Sequence, residues 1–187
     1  MTVISLRETL VATGVEILDA DGPTELTLRE ISRRAGVSHG APRRYFPTHN
    51  SLLAAIAFQG LVDLTDRLDP ILTGKQSARD RLISAAIEYV SFAQERPAMF
   101  ELMFRHDLLE GAGSNLRESS LPLFAALHTL TEAAKASDPT TSALSIWTGT
   151  HGVAVLAANR SLTLVAPDFD IAALVATTVT DHLPHTR

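Results

Sequence analysis

Helix-breaking residues crowd into one stretch of a chain that otherwise reads as helical. GVSHGAPRRYFPTH, residues 36–49, holds two glycines, two prolines, two arginines and two histidines. Upstream, Leu6, Leu10, Gly14, Ile17 and Leu18 share one helical face, and Asp21-Gly22-Pro23 ends that helix. Thr27 is placed to cap a second helix, and Glu30 three residues on makes the pair a capping box. Leu28, Ile31 and Ala35 give this helix its buried stripe. Gly36 stands where a helix C-terminus needs a left-handed residue, and Val37 can plug the corner beyond it. Phe46-Pro47 closes the stretch, because the residue before proline avoids the helical region. Thr48 then caps a fourth helix running to about Leu68.

The breakers therefore bracket a short third helix, whose start has two solutions. If Ser38 is the cap, Pro42 is the fourth helical residue and lacks the N–H that would reach the Ser38 carbonyl. If Ala41 is the cap, Pro42 takes the first helical position, where proline is favoured, and His39 and Gly40 lie in an extended turn. Both solutions give a capped helix, a glycine turn and a short polar helix, the layout of a helix-turn-helix. Such a unit presents the N-terminal turn of its second helix to the major groove of DNA, so a short helix suffices.

Charge points the same way. The chain is net −5, but the window from Arg29 to His49 has five arginines against Glu30, which makes it +4 and leaves −9 for the remainder. A basic patch on an acidic body suits an anionic partner. Arg43 and Arg44 are the strongest candidates for DNA contact, since Arg can bind guanine bidentately or clamp phosphates. Arg33 and Arg34 are weaker candidates, because consecutive helical residues point different ways. Phe46 is expected in the core against Val37 and Ile31, and Tyr45 is expected to turn its hydroxyl outward.

Beyond Asp69-Pro70 and Thr73-Gly74, helical segments are expected near 77–95, 97–106, 115–136, 140–160 and 168–182. Loops are expected around Gly111–Ser114, Ser137–Pro139 and Ala166–Asp168, and β-branched residues cluster at 162–165 and 175–180. The fold class is all-α: an N-terminal helix-turn-helix three-helix unit and a larger C-terminal helical bundle. Apolar residues make up 45% of the 187, enough for a core, and the absence of cysteine excludes disulfides and thiolate metal sites. Met1-Thr2-Val3-Ile4 and the residues after it show no signal-peptide pattern. The charge-free run from Pro139 to Asn159 is diluted by threonines, serines and His151, which favours a buried helix over a membrane span. The chain is expected to be soluble and cytoplasmic, with no membrane partner.

DGPTELTLREISRRAGVSHGAPRRYFPTHNSLLAAIA, residues 21–57, resembles the DNA-binding domain of TetR-family transcriptional regulators. The resemblance covers about the first 64 residues and includes the Leu-Thr-Leu-Arg-Glu-Ile opening, the Ala-Gly-Val-Ser turn and the Tyr-Phe-Pro close. RPAMFELMF at 96–104 and WTGTHG at 147–152 are similar to the subgroup with a WHG-type C-terminal domain. The resemblance implies a DNA-binding domain over 1–64, with its helix-turn-helix at about 27–46, and a ligand-binding and dimerisation domain over 65–187. It also implies a homodimer on a roughly palindromic double-stranded operator, released by a small apolar or amphipathic effector. Carried over by position, Thr27 and Arg29 fall where the second helix meets phosphates, and Ser38, His39, Gly40 and Arg43 where the reading helix meets bases and phosphates. Tyr45 matches a backbone-contacting aromatic. Arg43 stands where the family usually has tyrosine, and His49 where it usually has a phosphate-binding lysine.

In the body, Trp147 and His151 are i, i+4 neighbours on one helix face, with Gly149 and Gly152 allowing another helix to approach. They serve as a core pair or as the wall of a ligand pocket, for which Met103, Phe104, Phe124 and Leu127 are further apolar candidates. No catalytic constellation, cofactor motif or metal-ligand spacing is recognisable, and His106, His128 and His151 lack a carboxylate set that would make them a metal site. The expected function is a sequence-specific DNA-binding regulator, a repressor by family habit. The rival is a helical ligand-binding protein or enzyme whose helix-turn-helix is only a packing unit.

Overall fold

The computed structural model describes residues 5–109, 111 and 116–184. Met1 to Ile4, and most of the loop expected at Gly111–Ser114, lie outside them. The described residues contain helices and no strand: α1 (Leu6–Asp21), α2 (Leu28–Arg34), α3 (His49–Leu72), α4 (Ala78–Glu95), α5 (Pro97–Met103), α6 (His106–Leu109), α7 (Leu116–Ala133), α8 (Pro139–Ala158), α9 (Ser161–Val165) and α10 (Ile171–Thr180). Single 3₁₀ turns form at Pro23–Glu25 and Pro42–Arg44. No described helix is long and apolar enough to cross a membrane.

Packing divides the chain into two compact units, one of Met1–Val62 with Ala98–Leu116, the other of Asp63–Pro97 with Arg117–Arg187. The first is built around the N-terminal part of α3. From Leu52 to Ala57 every side chain is buried, so this segment is enclosed on all sides. Leu10, Ile17 and Leu18 of α1 and Ile31 of α2 complete the core. Gly14 makes the tight α1 crossing possible, because a Cβ there would collide with Ile56. Gly60 does the same for α5, whose buried Met99 and Met103 sulfurs occupy the space a side chain would need.

Helix ends follow local chemistry, with two departures from expectation. Ser5 and Glu8 form a full capping box on α1, Glu8 N–H donating to Ser5 Oγ at 3.2 Å and Ser5 N–H to the Glu8 carboxylate at 2.7 Å. At α2 only half of the expected box exists: Glu30 N–H donates to Thr27 Oγ1 at 3.2 Å, but the Glu30 carboxylate turns to Arg33 and Arg34 instead. Two guanidinium groups offer a carboxylate stronger, charge-assisted bonds than one backbone N–H does. The second departure is α3, which runs past Leu68 and through Pro70 to Leu72. Pro70 has no N–H to give the Asp66 carbonyl, and the helix closes within two residues of it. Thr73 N–H and Oγ1 both close onto the Asp69 carbonyl, at 2.9 and 2.8 Å, and Arg81 Nη1 donates to the Leu72 carbonyl at 2.8 Å.

The second unit packs α4, α8 and α10 against one another. α4 supplies the large side chains, Leu82, Val90 and Phe92, and α8 meets them with Ala143, Ile146, Ala154 and Ala157. Small residues let the helix axes approach, and Gly149 lies directly against the Thr178 methyl of α10. The buried Phe92 ring is flanked by the guanidinium carbons of Arg67 and Arg96 at 5.2 and 5.5 Å. Those arginines pair with Glu95 at 2.8 Å and Asp63 at 2.7 Å, so the cations are compensated and tie the C-terminal half of α3 to α4.

Candidate nucleic-acid interface and interior polar cluster

The stretch that carries the helix breakers folds as a series of turns. α2 ends in a Schellman motif: Gly36 adopts φ 67°, its N–H donates to Arg33 O at 3.3 Å, and Val37 N–H donates to Ser32 O at 3.0 Å. A turn follows, closed by Ala41 N–H to Ser38 O at 2.9 Å. Ala41 then leads into the 3₁₀ turn with Pro42 at its first position. Of the two solutions open in the sequence, this is the second, with Pro42 at the start. The expected short third helix is thereby reduced to a single turn, closed by Tyr45 N–H and Phe46 N–H on the Pro42 carbonyl at 3.0 and 2.8 Å. Proline supplies the helical φ at the start, and the Phe46-Pro47 pair forbids elongation at the other end.

This arrangement sorts side chains. Pro42 and Phe46 are buried, and Arg7 places its guanidinium 5.3 Å from the Phe46 ring centre. Ser38, His39, Gly40, Arg43, Arg44 and Tyr45 are all exposed, and the space around Gly40 is open. Thr27, engaged as the α2 cap, and Arg29 are exposed at the start of that helix. The basic residues fall into two sets. Arg33 bonds Glu30 at 2.6 and 2.8 Å, and Arg34 bonds Glu30 and Asp21, each at 2.7 Å. Those two guanidinium groups hold the Glu30 carboxyl down at about 2. Arg29, Arg43 and Arg44 form no ion pair among the described residues. His49 begins α3 and donates from Nε2 to the Leu26 carbonyl at 3.0 Å, while Thr48 caps the helix by accepting from Ser51 N–H at 3.0 Å.

The second unit holds a different kind of polar group. Tyr89 of α4, which sequence reasoning did not single out, meets His151 Nδ1 of α8 at 2.9 Å. The Trp147 indole also hydrogen-bonds the phenol. An indole N–H can only donate, so toward Trp147 the phenol oxygen is the acceptor, while the direction of its bond with His151 Nδ1 follows the imidazole tautomer. Burial pushes the Tyr89 hydroxyl well above its ordinary value, against a smaller lowering by the indole bond, and burial lowers the His151 imidazole. Both groups are thus held neutral at pH 7. Trp147 stacks at 6.1 Å on His151 and takes Phe124 edge-on at 6.4 Å, with Leu127 half-buried on the same helix as Phe124. Met103 and Phe104 belong to the first unit, where Met103 is buried at Gly60 and Phe104 packs on Phe100 at 5.0 Å. Of the expected pocket residues, the structure therefore joins Phe124, Trp147 and His151 through ring contacts. His128 bonds Thr140 at 3.1 Å, and no three acidic or histidine side chains among the described residues converge as metal ligands would.

A sequence model described as "Bacterial regulatory proteins, tetR family" matches residues 10–56, and one described as "Tetracyclin repressor-like, C-terminal domain" matches residues 82–182. The fold is similar to a protein of unknown function from Rhodococcus sp. RHA1, at 29% identity and a TM-score of 0.80 over 95% of this chain and 93% of that one. It is also similar to BioQ, solved with its natural double-stranded DNA operator, at 21% identity and a TM-score of 0.65 over 94% and 98% of the two chains. A stretch of 125 residues is 26% identical to the nucleoid occlusion factor SlmA of Marinobacter nauticus, covering 67% of this chain and 64% of that protein. The matched part thus spans less than two thirds of that relative's length.

Proposed function

The chain belongs to the TetR family of bacterial regulatory proteins and is a DNA-binding transcriptional regulator, and on that premise we propose that it is a homodimeric repressor released from a roughly palindromic operator by a small molecule. Residues 1–64 carry the DNA contact and residues 65–187 the dimer and the effector. The observation that carries the DNA assignment is the division among the arginines. Arg43 and Arg44 stand exposed and, among the described residues, without an acidic partner on the one-turn reading segment, beside Ser38, His39, the bare backbone at Gly40 and Tyr45. Phosphates and guanine edges satisfy such cations, and an open glycine permits close backbone approach. Thr27 and Arg29 flank them on the phosphate side. Because only one turn is presented, few side chains reach base edges, and specificity rests heavily on Arg43 and its neighbours.

His49 is the most restricted member of the set in its chemistry, because its Nε2 already donates to the Leu26 carbonyl and only Nδ1 is left to face a DNA backbone.

The effector site is proposed at Phe124, Leu127, Trp147 and His151, with Tyr89 added. A neutral phenol–imidazole pair among aromatic and aliphatic side chains suits an apolar or amphipathic molecule with one or two hydrogen-bonding atoms. Such a molecule weakens DNA binding only through its differential affinity for the two states, and a coupling of about 1–3 kcal/mol changes operator affinity roughly 5- to 150-fold. Fluorescence anisotropy on DNA upstream of the protein's own coding region tests the main reading. Binding that an unrelated duplex does not match is expected, and equal affinity for both duplexes contradicts it.

A further inference from the structure

The first unit has a groove of its own. It lies among the end of α1, the start of α3, α5 and α6, and its volume is about 150 Å³. The floor is aliphatic: Leu18, Leu26, Leu53 and Leu102 line it, and all of them are buried. An apolar space of that size accepts one aromatic ring. The polar side chains of the lining are His49, Glu101 and Arg105.

Those polar groups decide what the groove takes. Arg105 donates from Nε and Nη2 to the two oxygens of Asp107, each at 2.9 Å, so its charge is answered close by in the chain. Glu101 is exposed and forms no ion pair among the described residues. His49 gives its Nε2 proton to the Leu26 carbonyl at 3.0 Å, so the neutral ring keeps only the lone pair on Nδ1. The groove therefore joins a hydrocarbon floor to hydrogen-bond acceptors and one uncompensated negative charge. An anion is repelled by that carboxylate, and a purely apolar molecule gains nothing from it. A cation with several N–H groups pairs with it through charge-assisted hydrogen bonds.

We propose that this groove is a binding site for a small organic cation, which lays a ring or short hydrocarbon chain over the leucines and presents an amidinium or ammonium group to Glu101. The site goes beyond the effector reading, because Tyr89, Phe124, Trp147 and His151 belong to the second unit and the polar pair there is neutral. Glu101 supplies the charge and the leucines supply the shape, so each contribution can be tested alone. His49 belongs both to this lining and to the proposed phosphate contacts, which sets the occupant beside the DNA-binding residues.

Benzamidine, benzamide and benzoate share a ring and nearly a shape, but they are cationic, neutral and anionic. Each is titrated into the isotope-labelled full-length protein at constant ionic strength and followed by NMR. Benzamidine should bind about tenfold more tightly than benzoate and shift the amides of Leu26, Leu53 and Leu102. Glu101→Gln, at an exposed position, should weaken benzamidine about fivefold, to the level of benzamide, with an unchanged melting curve. Ala98→Leu narrows the groove from the half-buried start of α5 while keeping Glu101, and should weaken benzamidine and benzamide alike. Equal affinities for the three probes, no binding of benzamidine at millimolar concentration, or benzamidine binding that survives both substitutions would each overturn the proposal. So would shifts confined to α4, α7 and α8, which would assign the cation to the aromatic cluster of the second unit. No DNA enters the titration, so its failure is distinct from a failure of the operator reading.

Discussion

The reading segment and the α4–α8 interior treat polar groups in opposite ways. Around residues 38–46 the cations Arg43 and Arg44 are exposed and have no acidic partner among the described residues, held on a turn whose buried side chains are Pro42 and Phe46. Around Tyr89, Trp147 and His151 the polar groups are neutral and hydrogen-bonded, with Tyr89 and His151 half-buried and the Trp147 side chain exposed. The first arrangement leaves charge to be satisfied by a polyanion. The second has already satisfied most of its hydrogen bonds and offers shape and apolar contact. A regulator needs both, since an operator is recognised in water at high charge density and an apolar effector is recognised out of water.

The largest expected effect separates two neighbours. Phe46→Ala should cost about 3–5 kcal/mol of stability by emptying a buried site, and should abolish DNA binding by unfolding the first unit. Tyr45→Ala, one residue earlier and exposed, should stay within about 0.5 kcal/mol of wild-type stability while weakening DNA binding. Chemical denaturation beside an anisotropy titration checks the pair, and equal stability losses would erase the distinction between anchor and contact.

Next come the exposed cations. Arg43→Ala or Arg44→Ala should weaken operator binding by roughly 1–3 kcal/mol with an unchanged melting curve. On the other side, Tyr89→Phe should lower stability by about 0.5–1.5 kcal/mol, because Trp147 and His151 both lose the phenol as a hydrogen-bond partner. Calorimetry of the variant should also show unaltered DNA affinity in the absence of effector.

A smaller effect concerns pH. The folded His151 imidazole titrates below its usual 6.5, so the unfolded chain binds the proton more readily. Its contribution to stability is full above pH 6.5 and is lost as pH falls through the folded value. His151→Asn should flatten that acid-side slope in a denaturation series. Glu30, held at about 2 by Arg33 and Arg34, acts at lower pH: its contribution is full above its usual 4.5 and disappears as pH drops toward 2.

The fold and the reading segment were legible because each rests on local rules. Gly36 had to be left-handed to end α2, and Phe46-Pro47 had to stop what Pro42 begins. The position of Pro42 was undecidable from sequence, because two helix starts satisfy the same capping rules and only the closure onto the Pro42 carbonyl distinguishes them. The two arginine sets were equally hidden. All five lie in one basic window, and it takes the folded positions of Glu30 and Asp21 to show that Arg33 and Arg34 are compensated. Tyr89 went unseen because it lies 62 residues from His151, and nothing in α4 alone marks one tyrosine as a partner. Trp147 and His151 could be found, since their i, i+4 spacing is a local signal.

The salt dependence of operator affinity tests the division among the arginines most directly. If Arg43 and Arg44 contact phosphate, replacing either by Ala reduces the slope of log K against log salt by about one unit. If either contacts a base, the slope holds and affinity falls at one operator position. Arg33→Ala, whose guanidinium already answers Glu30, should leave both slope and affinity at wild-type values. A flattened slope in Arg33→Ala, with wild-type behaviour in Arg43→Ala and Arg44→Ala, would contradict the account.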